Sequence, residues 1–448
     1  MSHTPSDLCQ ALLDAARAAG ADSADAIAIR GTSVSVDVRG GALEQAERSE
    51  GTDLGLRVLI GKRQALVSSS DARPDTLAAM AERAVAMARE APEDPFAGLA
   101  DPDQITRDWA HLDLDLVDSS PAPTPETLQA DAIATEAAAL AVDGVTQVQS
   151  TTAAYGEHQV HLAATNGFSG GYARTSHALS CAAIAGTGTG MERDYDGDSR
   201  TYRSDLRSAD DIGHTAGARA VAGLNPRRTA TGTFPVLFDE RISSSLIGHL
   251  VAAANGAAIA RGASWLKDDL GQQVLPDHLS LIEDPHRPRI GGSRPFDAEG
   301  LATKQRALVD NGRLTGWTLD LSSARKLGLQ STANAARGVS SPPSPSSWNL
   351  ALTQGEHSRD DLIRDMGTGL LVTSLIGSTI NPNTGDYSRG AAGFWVKNGQ
   401  IAYPVNECTI AGNLRDMLRR IIPANDARPH LSRVVPSLLI EGLTLAGG

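Results

Sequence analysis

The sequence predicts an α+β protein, an N-terminal α/β half followed by a β-rich C-terminal domain. Two patterns carry this. In the first half, helical apolar spacing and strand-type alternation succeed each other twice, as two helix–strands–helix units. In the second half the chain is strand-rich, with hairpin turns at "VDNGRL" and "VKNGQI". Length sets the scale: 448 residues exceed one ordinary core, and 41% hydrophobic with 21% charged residues is a globular composition. Only 4% of the chain is aromatic, so its core must rest on Ala, Leu, Val and Ile.

The elements follow in order. Residues 6–19 place Leu8, Leu12, Leu13 and Ala16 on one helical face. Four alternating runs come next, "DAIAIRG", "SVSVDVRGG", "DLGLRVLIG" and "QALVSSS". Residues 74–90 form an amphipathic helix that opens on a proline. Between Ala91 and Ser120 there are eight acidic residues and one arginine, which reads as a linker or solvated edge segment. A helix at 124–142, a three-run meander and a helix at 209–223 repeat the first order, as an old duplication would, without a clear sequence repeat. Beyond "LNPRRTATGTF" the strands are interrupted by helices at 241–256 and near 358–366 and 411–421. The predicted units are 1–110, 111–230 and 231–448.

Composition also excludes functions. A net charge of −13 with no basic stripe argues against direct nucleic-acid binding, which depends on neutralising phosphates. Three scattered cysteines, Cys9, Cys181 and Cys408, offer neither a disulfide framework nor zinc spacing. The N-terminus lacks a secretory pattern and no run approaches a membrane span, so a soluble cytoplasmic protein is expected.

Several short motifs fail on context. "GFSGG" (Gly167–Gly171) matches a nucleophile elbow, but the chain after it alternates like a strand instead of entering a helix. "DYDGDS" (Asp194–Ser199) begins like a calcium loop and lacks its glycine and glutamate, so it reads as a charged turn. His158 and His161 would face opposite sides of a strand. "GTGTG" at 186–190 opens no phosphate-binding helix and reads as a turn. The helix from Arg241 carries one histidine, His249, and no acid before Gly256, too few donors for a metalloprotease centre.

Residues 381–405 are denser in information. Gly385 and Gly390 bracket "DYSR", a turn with a carboxylate, a phenol and a guanidinium, and two strands follow around Lys397-Asn398-Gly399. Alternation sets Phe394 and Val396 against Trp395. Arg389 is placed to pair with Asp386 or to hold a peptide carboxylate.

The run "GDYSRGAAGFWVKNGQIAYPVNECTIAGNL", with "PSLLIEGLTLAG", "ALVDNGRLTGWTLD" and "SSLIGHLVAAANG", closely resembles the PmbA/TldE family, paralogues of TldD long labelled modulators of DNA gyrase. The resemblance runs through nearly the whole chain. It implies a cytoplasmic heterodimeric metalloprotease in which a TldD-like subunit holds zinc on a His-Glu-x-x-x-His helix and a later cysteine. Its substrates would be unfolded or short peptides, and a homodimer of this chain alone is a second assembly it allows. With Gly256 set at the glycine after that motif, Ile247 and Ala252 stand where the histidines would be, and Gly248 replaces the glutamate. Cys408 is not a transferred ligand. The resemblance therefore implies no catalytic residue, metal or cofactor in this chain, with zinc in the partner. Asp386, Tyr387, Ser388, Arg389 and Trp395 are the expected peptide-binding or interface residues. The rival readings are a peptidase acting through another site and a regulator touching gyrase by protein contact.

Overall fold

The computed structural model describes residues 3–447. Helix α1 (Pro5–Ala18) starts at a capping box, Thr4 and Asp7 bonding each other's backbone N–H, with proline at the first helical position. Strands β1 (Ser23–Arg39), β2 (Ala42–Ile60) and β3 (Arg63–Ser69) lead to helix α2 (Pro74–Glu90). Helix α3 (Pro125–Leu140), strands β4 (Val145–Ala164), β5 (Ser169–Ala185) and β6 (Glu192–Arg200) and helix α4 (Ala209–Ala222) follow.

The two helix–strands–helix units share one antiparallel sheet, ordered β3-β2-β1-β4-β5-β6, in which Ile27 of β1 lies opposite Leu162 of β4. One face buries alternate residues, Ala24, Ala26, Ala28, Leu54, Leu56 and Val58, beneath α1 and α2. Farther along the same face, Val34, Val36 and Val38 lie beneath α3 and α4. Each fully buried Leu contributes roughly 1.5–3 kcal/mol, so small residues on the strands with leucines on the helices suffice for a core poor in aromatics.

Three strand readings are corrected. "DAIAIRG" and "SVSVDVRGG" belong to the single strand β1, because Gly31 between them makes no turn. It provides close approach instead: a Cβ there would meet the His158 ring at 2.8 Å. "DYDGDS" is an edge strand, β6, with Asp196 bound by Arg207 and Arg219. "DYSR" is not a turn but the start of a strand, Asp386–Lys397, and the turn ends at Gly385, φ +81°.

The C-terminal region begins with β7 (Gly232–Phe238) and helix α5 (Glu240–Ala253). Strands Gly369–Ile380, Asp386–Lys397 and Gln400–Asn413 join β7 and Leu438–Gly447, and Gln400–Asn413 also pairs with Leu438–Gly447. These five strands thus close on one another, which removes most free edges. Leu246, Ile247 and Leu250 of α5 enter the largest core cluster with Val236, Leu370 and Leu438. The predicted Asn-Gly hairpins are present, with Asn398 at φ +54° and Gly399 at φ +72°.

The C-terminal region docks on the sheet face that the helices leave bare. Ile27, Leu162 and Phe168 pack there against Phe296, Leu301 and Leu321. Beside them Asp25 is ion-paired to Arg57 of the sheet and to Arg337 of the C-terminal region, all three side chains buried. Segment 91–123 straps across this junction, with Arg325 donating to the carbonyls of Phe96, Gly98 and Leu99.

Candidate functional site

The start of α5, the edge of β6 and the 369–413 strands enclose a cleft of about 740 Å³. Asp239 caps α5, accepting from the Arg241 backbone N–H at 3.2 Å. The Arg241 side chain bonds Asp239 at 3.2 Å and Asp194 of β6 at 3.0 Å, which pins the first turn of the helix against the sheet edge. From α5 the wall receives Arg241, Ile242, Ser244 and Ser245. Opposite stand Thr373, Ser374, Leu375 and Ile376, with Arg389 and Cys408 from the neighbouring strands.

Among the described residues, 373–376 have no strand partner on one side. The 369–380 strand pairs with β7 only over Leu370–Val372, while its other side continues along the 386–397 strand. Ile376 is 68% exposed at this edge, uncommon for so large an apolar side chain. The cleft therefore offers main-chain donors and acceptors beside an apolar patch.

Arg389 donates from Nε to the Gly377 carbonyl at 2.7 Å, and it forms no ion pair among the described residues. Asp386 accepts instead from Thr384 at 2.6 Å and Asn413 at 3.0 Å, and those bonds hold its carboxyl below the usual range. The expected Arg389–Asp386 pair is thus absent, and the guanidinium lines the cleft.

Behind the wall, the ring of Tyr387 meets His249 edge-on at 6.0 Å. Burial pushes the Tyr387 phenol up to about 12, against a small opposing pull from Arg389. Burial, reinforced by Arg389, lowers the His249 imidazole below its ordinary value, so it is neutral near pH 7. Tyr387 Oη and His249 Nε2 lack a well-formed hydrogen bond within the described residues. Cys408 donates to the Ala391 carbonyl at 3.2 Å and burial raises its pKa, so it is a thiol rather than a thiolate.

The other residues singled out in the sequence are dispersed. Trp395 is buried edge-on to Phe234 at 5.0 Å, and Ser388 is half-buried on the same strand. Ile247 points into the core, Gly248 faces Arg433 and Ala252 is exposed, so none of the three lines the cleft. His161 and Ser169 meet at 3.0 Å across the β4–β5 hairpin, with no carboxylate on the other imidazole nitrogen among the described residues. Sequence reasoning missed Arg241, Ser244, Ser245 and the 373–376 edge. The hydroxyl pair was visible in the sequence, but an unpaired strand edge is a property of topology and leaves no local pattern.

Comparison with known proteins accounts for nearly the whole chain. Residues 231–447 match the PmbA/TldA metallopeptidase C-terminal domain, 118–224 its central domain and 24–88 its domain 1. Metalloprotease PmbA of Escherichia coli O157:H7 is 38% identical over 429 residues, 95% of this chain and 92% of that protein. A crystal structure from Bacteroides thetaiotaomicron, provisionally described as a modulator of DNA gyrase, superposes with a TM-score of 0.92 at 27% identity, covering 99% of this chain and 100% of that one. TldE from Thermococcus kodakarensis shares the fold, with a TM-score of 0.85 at 20% identity over 98% of this chain and 100% of that one.

Proposed function

The chain belongs to the PmbA/TldD metallopeptidase family, and from that premise we propose that it is the non-zinc subunit of a two-subunit peptidase. It binds and positions unfolded or short peptides in the α5 cleft, while a TldD-like chain supplies zinc and the activated water.

The donor set of the cleft carries this reading. Catalytic zinc needs about three protein ligands from His, Asp, Glu or thiolate Cys. Here α5 presents two serines toward the cleft, one neutral imidazole lies behind the wall, the one cysteine is a hydrogen-bonded thiol, and of the lining carboxylates Glu192, Asp194 and Glu407, Asp194 is paired with Arg241. Among the described residues no three His, Cys, Asp or Glu side chains are grouped to hold an ion. The residues do not fit zinc, and no hydrolytic step is assigned to this chain.

Its own contribution is geometric. An extended peptide can add to the free 373–376 edge through main-chain hydrogen bonds, a mode tolerant of sequence. Arg389 lines the same cleft without a carboxylate partner among the described residues and can hold a peptide carboxylate. Fluorescence anisotropy with labelled unfolded peptides tests this. The isolated chain should bind them, and Arg389→Ala should weaken binding at least about fivefold, roughly 1 kcal/mol for a charge-assisted bond. Equal binding by both proteins would remove Arg389 from the role, and no binding by either would overturn peptide capture by this subunit.

A further inference from the structure

A second cavity, of about 280 Å³, lies where the C-terminal region docks on the bare sheet face, and it shares no lining residue with the α5 cleft. Strand pairing builds one wall. His158 on β4 stands opposite Arg174 on β5, and Val160 stands opposite Tyr172. Gly31 on β1 lets the His158 ring lie across the sheet, since a Cβ there would meet it at 2.8 Å. The facing wall is Arg294, Arg337 and Trp348 of the C-terminal region.

The charges in this cavity are out of balance. Arg174 donates to the carbonyls of Gly291 at 2.7 Å and Ser293 at 3.3 Å, and Arg294 donates to the Ser293 carbonyl at 3.0 Å. Neither guanidinium has a carboxylate partner among the described residues. Both lie over the Tyr172 ring, at 5.1 and 5.7 Å from its centre, and Arg294 also lies 5.6 Å from that of Trp348. Burial, with the like charge of Arg294, pulls Arg174 down to about 10, which marks two cations held together at a cost. Arg337 is shielded by Asp25, yet its Nε and Nη2 meet no acceptor among the described residues.

The one acid in the lining, Asp297, forms no ion pair with either guanidinium among the described residues. Both Asp297 oxygens accept backbone N–H bonds, from Glu299 and Leu301 at one and from Ala335 at the other. Burial raises its pKa to about 6. Unpaired guanidiniums between aromatic walls form an acceptor-seeking site, because a planar guanidinium matches the oxygens of a carboxylate or phosphate.

We propose that this cavity is a binding site for a small ligand bearing a carboxylate or phosphate group, with Arg174 and Arg294 holding the anion and Tyr172 and Trp348 packing its body. The volume suits a metabolite-sized molecule and not an extended peptide. The site is independent of the peptidase role and stands whether or not this chain captures peptides in the α5 cleft.

Calorimetric titration of the full chain with three probes tests it: N-acetylphenylalanine, its amide and inorganic phosphate. Saturable binding of the acid but not the amide identifies a carboxylate site, and binding of phosphate alone identifies a phosphate site. In either case Arg294→Gln should weaken binding at least about tenfold without lowering the thermal midpoint, since it also relieves the repulsion on Arg174. Trp348→Phe should retain the anion with a smaller loss. Absence of saturable binding by every probe, or equal binding by wild type and Arg294→Gln, overturns the proposal.

Discussion

At the residue scale, buried ionisable groups set the expectations. Burial alone would raise the Asp25 carboxyl, but the Arg337 and Arg57 guanidiniums outweigh it and hold it below the usual range. A depressed carboxyl contributes stability above its unfolded pKa and loses that contribution as pH falls through the folded value. Asp25→Ala strands two buried cations and should cost about 3–5 kcal/mol at pH 7, read by denaturant unfolding. That deficit should shrink at acid pH. His249 behaves in the opposite sense to a paired histidine. Its imidazole stays neutral in the fold, whereas the unfolded chain takes up a proton near pH 6.5. Stability should therefore fall as pH drops below about 6.5, and His249→Phe should flatten part of that slope in thermal melts across pH 5 to 7.5. Part will remain, because burial lowers His161, His177, His286 and His430 in the same direction.

At the element scale, α5 shows how little of a helix's role lies in its motif. Gly248 sits inside it, and an added Cβ would meet only the tip of the Arg433 side chain, at 3.0 Å. Gly248→Ala should then stabilise the protein by about 0.5–1 kcal/mol through helix propensity, raising the thermal midpoint without changing peptide binding. Helices α1 to α4 were legible in the sequence because Thr4, Thr124 and Ser208 cap α1, α3 and α4, and a proline opens α1, α2 and α3. The first half of β2 was not. Residues 42–51 are exposed on both faces, so "ALEQAERSEG" shows no alternation, and pairing with β1 alone makes it a strand. Arg389 and Tyr387 were visible as an unusual cluster, yet the sequence could not show that one lines the cleft and the other is buried behind it. Trp395 drew notice for the same reason and lies in the core.

At the scale of the whole molecule, one sheet with helices on a single face leaves its other face to carry the C-terminal region, and the closed C-terminal strands hold α5 beside a cleft. That architecture presents a groove of about 740 Å³, and among the described residues no three His, Cys, Asp or Glu side chains are grouped to hold an ion. It predicts a division of labour between two chains. The most direct measurement is peptide hydrolysis with bound-zinc analysis, on this chain alone and on its mixture with a TldD-like partner. Activity and stoichiometric zinc in the mixture, with neither in the isolated chain, is the predicted result. Zinc-dependent hydrolysis by the isolated chain would contradict it and would require a metal site built from residues other than those of α5.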